Sequence, residues 1–249
     1  MGKYAALVDV SKCTACRACQ VACKQWNENP AEKTYQVGTY QNPPDLSSLT
    51  YTIIRFQEQR VNGEMVWTFF KDQCRHCVEP PCKEVADEMV EGAILQDENG
   101  AVTFTEKTKD CDFQEVRDAC PYDIPRQDPA TGIMYKCTFC NDRIANGMIP
   151  ACIKTCPTGA LQFGPRDEIL EKAHRRLKEL KKDYPHARIL DEDEVSWIYV
   201  LHQPESQFQM SRRERKPSVM YALKSLSKPL GVFAMGAALI GQIANKGRE

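Results

Sequence analysis

The sequence predicts an α+β fold in which short β-hairpins carry cysteine-rich loops and a helical extension follows. Three observations favour this class. Thirteen cysteines lie mostly in short clusters along the 249 residues. Two Asn-Gly dipeptides indicate hairpin turns, the first between stretches in which apolar and polar residues alternate, and an amphipathic stretch follows Gly164. A chain of this length can form one large domain or two lobes.

Two hairpins are predicted from the Asn-Gly dipeptides. Apolar and polar residues alternate in segment 51–70 on both sides of Asn62-Gly63, and a second hairpin over segment 93–104 is expected to turn at Asn99-Gly100. Asn-Gly favours the positive φ angles of a two-residue turn. The stretches YAALVDV and ALQFG are predicted to be strands next to the first and last cysteine clusters. A small sheet is therefore expected to carry the cysteine loops at its edges.

The segment 167–182 predicts an amphipathic surface helix. Ile169 and Ala173 belong to its apolar face, and Glu171 stands four residues before Arg175, the spacing of a supporting ion pair. Its many charged residues are expected to form a solvated face.

The last part of the chain is predicted to be a strand followed by a tail. The stretch SWIYVLHQ (196–203) indicates the strand, and polar and basic residues follow it. The uncharged stretch 229–244 contains sixteen residues, fewer than the about 20 that a membrane-spanning helix needs. We expect this stretch to be a helix docked on protein rather than a membrane anchor.

Charge and the N-terminal residues exclude some function classes. The 33 basic and 34 acidic side chains give a net charge of −1, which does not favour nucleic-acid binding. The first ten residues contain one lysine and only a short apolar stretch, unlike a secretory signal peptide. A folded carrier or enzyme subunit without an export signal of its own is expected.

The cysteines form four stations, of which the first and the last have the most informative spacing. The first reads CxxCxxCxxxC, the second CxxCxxxxC, and the last a CxxC followed by CxxxCP. In chain order the stations are Cys13, Cys16, Cys19 and Cys23; Cys74, Cys77 and Cys82; Cys111 and Cys120; and Cys137, Cys140, Cys152 and Cys156.

Metal binding explains these stations better than disulfide bonds do. A disulfide between cysteines three residues apart would constrain almost none of the chain. Zinc usually takes two CxxC-like pairs from separate segments. The run CxxCxxCxxxC instead matches the bacterial ferredoxin pattern, in which three cysteines bind one [4Fe-4S] cluster and the fourth binds a neighbouring cluster. The pattern also requires a cysteine from a distant segment, followed by proline, to complete the first cluster. Cys156 before Pro157 meets this requirement.

The pattern assigns twelve cysteines to three [4Fe-4S] clusters. The proposed ligands are Cys13, Cys16, Cys19 and Cys156 for cluster 1; Cys23, Cys137, Cys140 and Cys152 for cluster 2; and Cys74, Cys77, Cys82 and Cys120 for cluster 3.

Four motifs carry a resemblance to a known family. They are CTACRACQVACKQWN, CRHCVEPPC, ACPYDIPR and KCTFCNDRIANGMIPACIKTCPTGAL. The chain resembles the ferredoxin-like electron-transfer subunits that accompany molybdenum or tungsten bis-pterin oxidoreductases. It is most similar to the iron–sulfur β subunits of formate dehydrogenases, particularly the soluble enzymes of sulfate-reducing bacteria. The motifs are less specific for formate than for the superfamily.

The resemblance implies tandem bacterial-ferredoxin-like folds. Residues 1–30 and 130–165 are expected to form a lobe with two clusters, and residues 31–129 a second, degenerate lobe with one. Residues 166–249 are expected to supply a helix, a strand and a C-terminal tail that packs on a partner subunit.

One departure from the family pattern predicts three clusters rather than four. Four-cluster members place a cysteine four residues after position 82, where this chain has alanine, and three more before Cys120. At those three places this chain has Asp110, Phe113 and Val116. Cys111 lies one position after the first of those three places. We expect it to be a small buried or half-exposed thiol rather than a ligand. Apolar side chains are expected to fill the space of the missing cluster.

The sequence contains no recognisable catalytic constellation. No glycine-rich phosphate loop and no Ser/His/Asp arrangement is present, and the four histidines are dispersed. His76, within CRHC, is expected to pack or hydrogen-bond rather than to bind metal. Lys24, Arg75, Lys136 and Lys154 lie beside proposed ligands and could stabilise reduced clusters, although facing solvent is the simpler expectation for them.

The resemblance implies electron relay as the function. A catalytic α subunit with a molybdenum or tungsten bis-pterin cofactor would interconvert formate and CO2 and pass electrons through this non-catalytic chain. A c-type cytochrome is the implied acceptor. The complex is expected in the periplasm, exported with a partner that bears the signal, with the cytoplasm as the alternative.

Other functions stay open at this stage. The chain could serve another molybdenum enzyme or a hydrogenase, act as a free polyferredoxin, or be a zinc-stapled interaction module.

Overall fold

Short strands and short helices alternate along the chain, and loops that carry cysteines connect many of them. The structure is a computed structural model, and it describes residues 2–36, 38–61 and 63–210. The strands are β1 Tyr4–Asp9, β2 Thr52–Val61, β3 Glu64–Gln73, β4 Ile94–Gln96, β5 Val102–Phe104, β6 Arg126–Gln127, β7 Met134–Tyr135, β8 Leu161–Pro165, β9 Arg188–Leu190 and β10 Trp197–Leu201. The helices are α1 Ala18–Trp26, α2 Pro81–Met89, α3 Phe113–Ala119, α4 Asn141–Ala145, α5 Ala151–Lys154 and α6 Arg166–Leu180. Single 3-10 turns span Val10–Lys12, Glu106–Asp110 and Glu205–Gln207.

A four-stranded sheet of order β8-β1-β10-β9 is the scaffold for the first and last cysteine stations. Strand β1 pairs antiparallel with β8, with Val8 opposite Leu161, and parallel with β10. The loop that follows β1 and the loop that precedes β8 therefore leave the sheet at the same end. The two stations meet there although more than a hundred residues separate them.

Helix α6 covers one face of this sheet. Its apolar residues Ile169, Ala173 and Leu180 pack with Ala5, Leu7, Ile198 and Val200 of the central strands, as the apolar periodicity predicts. Arg176 of α6 also donates to the carboxylate of the buried Asp9, at 2.7 Å from Nε to Oδ2. The expected ion pair between Glu171 and Arg175 forms at 3.1 Å on the exposed side.

The hairpin β2–β3 packs on the other face of the sheet. The two strands pair from Thr52 opposite Gln73 to Val61 opposite Glu64, so residues 62 and 63 connect them as predicted. Asn62 lies outside the described residues. The base of the hairpin is buried on both sides, with Phe70 in the core, whereas its tip is exposed. Charged residues near the base of β3 are therefore enclosed by protein.

The second predicted hairpin forms from β4 and β5, but its turn is longer than expected. The N–H of Gly100 donates to the carbonyl of Asp97 at 3.0 Å, and the N–H of Asp97 donates to the carbonyl of Ala101 at 2.9 Å. Gly100 has a φ of 95°, and a Cβ there would lie 2.9 Å from the hydroxyl of Ser196. A type I turn followed by glycine therefore replaces the two-residue turn.

Apolar side chains fill the region to which the resemblance would assign a fourth cluster. Ala86, at the position where four-cluster members have a cysteine, is fully buried with Val116 of α3. Phe113 and the buried Cys111 pack in the same cluster of side chains, together with Met134. This packing agrees with the expectation that apolar residues occupy the space.

The α+β class is confirmed, and residues 166–201 prove to be part of the main sheet and its covering helix. The predicted stretch 229–244 and most of the tail lie outside the described residues. Among the residues that are described, no helix combines the length and the apolar character needed to cross a bilayer.

We predict that Ile169→Ala lowers the free energy of unfolding by about 2–5 kcal/mol, because it leaves a cavity between α6 and the sheet. Lys178→Ala, on the exposed side of the same helix, is the matched control and should change stability by less than about 0.5 kcal/mol. Anaerobic denaturant unfolding followed by circular dichroism measures both. Equal effects would show that α6 does not pack as described.

Candidate metal centres

Three of the cysteine loops share one backbone conformation. Ala15, His76 and Phe139 each precede the second cysteine of a CxxC, and their φ angles are 53°, 50° and 60°. In this conformation the backbone N–H points back at the first cysteine, with 3.4 Å from His76 N to Cys74 Sγ and from Phe139 N to Cys137 Sγ. Ala15 makes the equivalent bond within its own loop. Left-handed backbone is unfavourable for these residues, so its recurrence marks a functional geometry.

The first group of cysteines lines a cavity below the end of the sheet. Its lining includes Cys13, Cys16, Cys19 and Cys156, and the empty volume of the whole cavity, with the solvent at its mouth, is about 460 Å³. Cys19 is buried and Cys16 is exposed. The pairing of β1 with β8 brings the first three cysteines to the last one.

The second group consists of buried thiols from three separate segments. Helix α1 packs on α5, which brings Cys23 near Cys152. The charges of Cys137, Cys152 and Cys140 all act on Cys23. These four are the cysteines that the spacing assigned to cluster 2.

The third group lines another cavity. Its lining includes Cys74, Cys77, Cys82 and Cys120, and the empty volume of the whole cavity, with the solvent at its mouth, is about 350 Å³. Arg75 and Lys136 line the same cavity. The structure thus brings together the same three groups of four that the sequence predicted.

The second group lies between the other two. Cys152 of the second group is within electrostatic range of Cys19 of the first, and both belong to one buried core. Cys137 of the second group is within range of Cys74 of the third, and those two share another core. The three groups therefore follow one another in the order first, second, third.

Burial keeps these thiols protonated when no metal is bound. It raises the pKa of Cys137 to about 12 and the pKa values of Cys13, Cys140 and Cys152 to about 11 each. The sulfur-directed N–H groups of Ala15 and Phe139 act in the opposite direction. The pKa of Cys82 is also raised, mainly by burial. Binding a metal at these sulfurs must release protons.

Cys111 stands apart from the three groups. It is buried against apolar residues such as Ala86 and Val116, and the acidic side chains of Asp110 and Asp87 add to the effect of burial in raising its pKa. This environment suits a packed thiol rather than a metal ligand.

His76 packs as expected. It is fully buried, its Nδ1 accepts a hydrogen bond from the N–H of Val102 at 2.9 Å, and its ring lies 4.9 Å from that of Phe139. Burial, and secondarily the charge of Lys136, lower its pKa well below the usual value, so the ring is neutral.

The four cations beside proposed ligands differ in exposure. Lys154 is exposed and Lys24 is half-buried, with its Nζ donating to the carbonyls of Pro30 and Leu49. Arg75 and Lys136 are buried, so the expectation that they face solvent was wrong. The guanidinium of Arg75 lies within 4.5 Å of the aromatic rings of Tyr122 and Tyr199.

The sequence reasoning missed a fifth cation, Lys71. It is only 2% exposed, lies in β3 and lines the cavity of the first group. Burial opposes its charge, but the sulfurs of Cys152 and Cys19 outweigh this effect and raise its pKa. No local signal marks it, because the polar residues Asp72 and Gln73 follow it before the cysteine station.

The donor sets fit iron–sulfur clusters better than single ions. Zinc bound at about 2.3 Å would require tetrahedral thiols with sulfurs roughly 3.8 Å apart. Among the described residues, no three His, Cys, Asp or Glu side chains converge in this way. Four thiols around an open space, with N–H groups directed at sulfur and a cation nearby, are what a larger [4Fe-4S] cluster needs.

Comparisons with known proteins agree with this chemistry. The model of a 4Fe-4S dicluster domain matches residues 65–166. The formate dehydrogenase subunit beta of Megalodesulfovibrio gigas is 50% identical over 200 residues, which is 79% of this chain and 93% of the relative.

Two further relatives extend the comparison. Formate dehydrogenase 2 subunit beta (cytochrome c-553) of Nitratidesulfovibrio vulgaris is 50% identical over 78% of this chain and 91% of its own length. The nitrate-inducible formate dehydrogenase iron–sulfur subunit of Escherichia coli is 40% identical over 97% of this chain and 83% of its own length. This chain belongs to the iron–sulfur subunits of formate dehydrogenases. The family predicted from the four cysteine motifs is thereby confirmed, as are the ferredoxin-like fold, the iron–sulfur character and the role in electron transfer.

We predict that this iron–sulfur subunit loses iron faster as the pH falls. The folded thiols have raised pKa values, so their protonated, metal-free forms are favoured throughout the range below about 11, and protons compete with iron more strongly at lower pH. The rate at which a chelator bleaches the visible absorption should be higher at about pH 6 than at about pH 9. A rate that is independent of pH would contradict this account.

Proposed function

We propose that this chain carries three [4Fe-4S] clusters and relays electrons from a catalytic formate dehydrogenase subunit to an external acceptor. The single observation that carries the proposal is that twelve cysteines from distant segments meet as three groups of four. Each cluster, when bound, would accept and donate one electron at a time. The chain's own residues would hold the clusters and set their environment.

The assignment of ligands follows from these groups. Cluster 1 would be held by Cys13, Cys16, Cys19 and Cys156, cluster 2 by Cys23, Cys137, Cys140 and Cys152, and cluster 3 by Cys74, Cys77, Cys82 and Cys120. All thirteen cysteines are free thiols, so none of these twelve is committed to a disulfide.

The packing around Ala86 and Val116 supports a count of three clusters. A fourth cluster would need ligands where Ala86 and Val116 are fully buried in an apolar core. The half-buried Phe113 packs against the same core. Without a fourth cluster the three cysteine groups still form a continuous series, because the second group is adjacent to both others. We therefore propose clusters 1, 2 and 3 as the sequence of relay sites, with cluster 2 in the middle.

The two ends of this order suit electron entry and exit. Cys16 of the first group is exposed, and Cys77 of the third group is half-buried, whereas all four cysteines of the second group are buried. An electron carrier that approaches the surface can therefore come closer to clusters 1 and 3 than to cluster 2. One end would face the catalytic subunit and the other the acceptor.

The partners are proposed from the relatives. Formate dehydrogenase subunits called beta or iron–sulfur imply a companion catalytic chain, which would hold the molybdenum or tungsten bis-pterin cofactor. The Nitratidesulfovibrio vulgaris relative has cytochrome c-553 in its name, which supports a c-type cytochrome as acceptor. We propose that the complex works in the periplasm, with the cytoplasm as the alternative.

We predict about twelve irons per chain in anaerobically purified protein, from three clusters of four. Cys16→Ser should lower this number by about four, because it removes a ligand of cluster 1. Cys111→Ser is the matched control and should leave the iron content unchanged. About sixteen irons in the wild type, or the same loss in both variants, would contradict the assignment.

We also predict that the chain co-purifies from the periplasmic fraction with a pterin-containing catalytic chain, and that formate then reduces a c-type cytochrome. In the complex with Cys16→Ser, cytochrome reduction should fall at least tenfold, because the relay is interrupted.

Reduction of a small dye that can accept electrons at the catalytic chain should change much less in the same complex. A different companion enzyme, a chain found alone, or a cytochrome that stays oxidised would each refute part of the proposal and identify which part.

A further inference from the structure

Lys71 is a buried cation whose hydrogen bonds go to neutral groups. Its Nζ donates to the hydroxyl of Thr52 at 2.6 Å and to the side-chain carbonyl of Gln73. It also lies 5.0 Å from the centre of the indole ring of Trp197. Burying a charge without an opposite charge nearby is costly, so a negative partner must be sought.

The nearby carboxylate does not supply that partner. Asp72 follows Lys71 in the strand, but alternate side chains point to opposite faces, and its Oδ2 pairs with Arg55 at 2.9 Å. Within the described part of the chain, none of the ion pairs found includes Lys71.

When clusters are bound, the negative partners would be the thiolate sulfurs of two different cysteine groups. Lys71 lines the cavity of the first group together with Cys19. Its charge also acts on Cys23, Cys137 and Cys152 of the second group. Lys71 therefore lies beside both groups, near the point where Cys19 and Cys152 approach each other.

We propose that Lys71 is the shared counter-charge of the first and second cysteine groups and makes the clusters held there easier to reduce. This inference rests on the proposed function. Reduction adds one negative charge to a cluster, and nearby positive charge stabilises the reduced form. Because the side chain lies in a dry environment, its charge is screened far less than that of a surface lysine.

The position of Lys71 has a consequence for the relay. A single cation beside two neighbouring groups should raise the reduction potentials of both together, so it shifts the pair without opening a gap between them. The third group has other buried cations, Arg75 and Lys136, lining its own cavity. Lys71 should therefore affect two potentials and leave the third nearly unchanged.

The test is an anaerobic redox titration, followed by electron paramagnetic resonance, of the full-length protein with its companion chain. Lys71→Met and Lys71→Gln remove the charge but differ in polarity. In both, the equilibrium constant for reduction should fall at least tenfold at two clusters, equivalent to a decrease of about 59 mV each. The third potential should change less than twofold in equilibrium constant.

Two variants control for effects other than the buried charge. Lys154→Met removes an exposed lysine two residues from Cys152 and should leave all three potentials within twofold of the wild type. Lys71→Arg keeps the charge and should retain the two potentials. If either neutral variant contains less iron than the wild type, the Lys71→Arg variant decides whether the charge matters. A shift of the potential of either cluster beside residue 71, in Lys71→Arg protein with its full iron content, overturns the proposal.

The remaining outcomes are also decisive. Unchanged potentials in the neutral variants, a shift at one cluster only, or equal shifts at all three would overturn the role of Lys71. A wild-type protein without three titrating clusters would instead refute the proposed function itself. The iron content and the potentials therefore separate the two failures.

Discussion

The crossing of cysteines between the beginning and the end of the cysteine-bearing region is the constraint on which this molecule depends. The first station cannot complete its group without Cys156, and the last cannot complete its group without Cys23. The antiparallel pairing of β1 with β8 and the packing of α1 on α5 satisfy both requirements at once. Because closing so long a loop costs conformational entropy, metal binding and folding are expected to stabilise each other strongly.

The site combines features that would destabilise an ordinary protein core. Thiols are buried in groups, and left-handed backbone recurs at Ala15, His76 and Phe139. Cations such as Lys71 and Arg75 are enclosed by protein. Each feature becomes favourable when negatively charged clusters occupy the groups, since the backbone N–H groups and the cations then face negative sulfur. The structure thus carries the electrostatic complement of its cofactors in its own side chains and backbone.

An apolar core fills the region to which the resemblance would assign a fourth cluster. The side chains of Ala86, Phe113 and Val116 pack there with Met134. Burial of this apolar surface stabilises that part of the fold. Because the second group lies between the other two, the three cysteine groups form an uninterrupted order.

The sequence by itself determined the cysteine groups, the family, the α+β class and the two hairpins, because ligand spacing, Asn-Gly turns and apolar periodicity are local signals. Only the tertiary structure decided the longer turn at Gly100, the joining of residues 166–201 to the main sheet and the order of the groups. It also decided that Arg75 and Lys136 are buried and that Lys71 lies between two groups. Burial depends on what other segments pack against a residue, and a strand position next to a cysteine station carries no local mark of how deeply it will be enclosed.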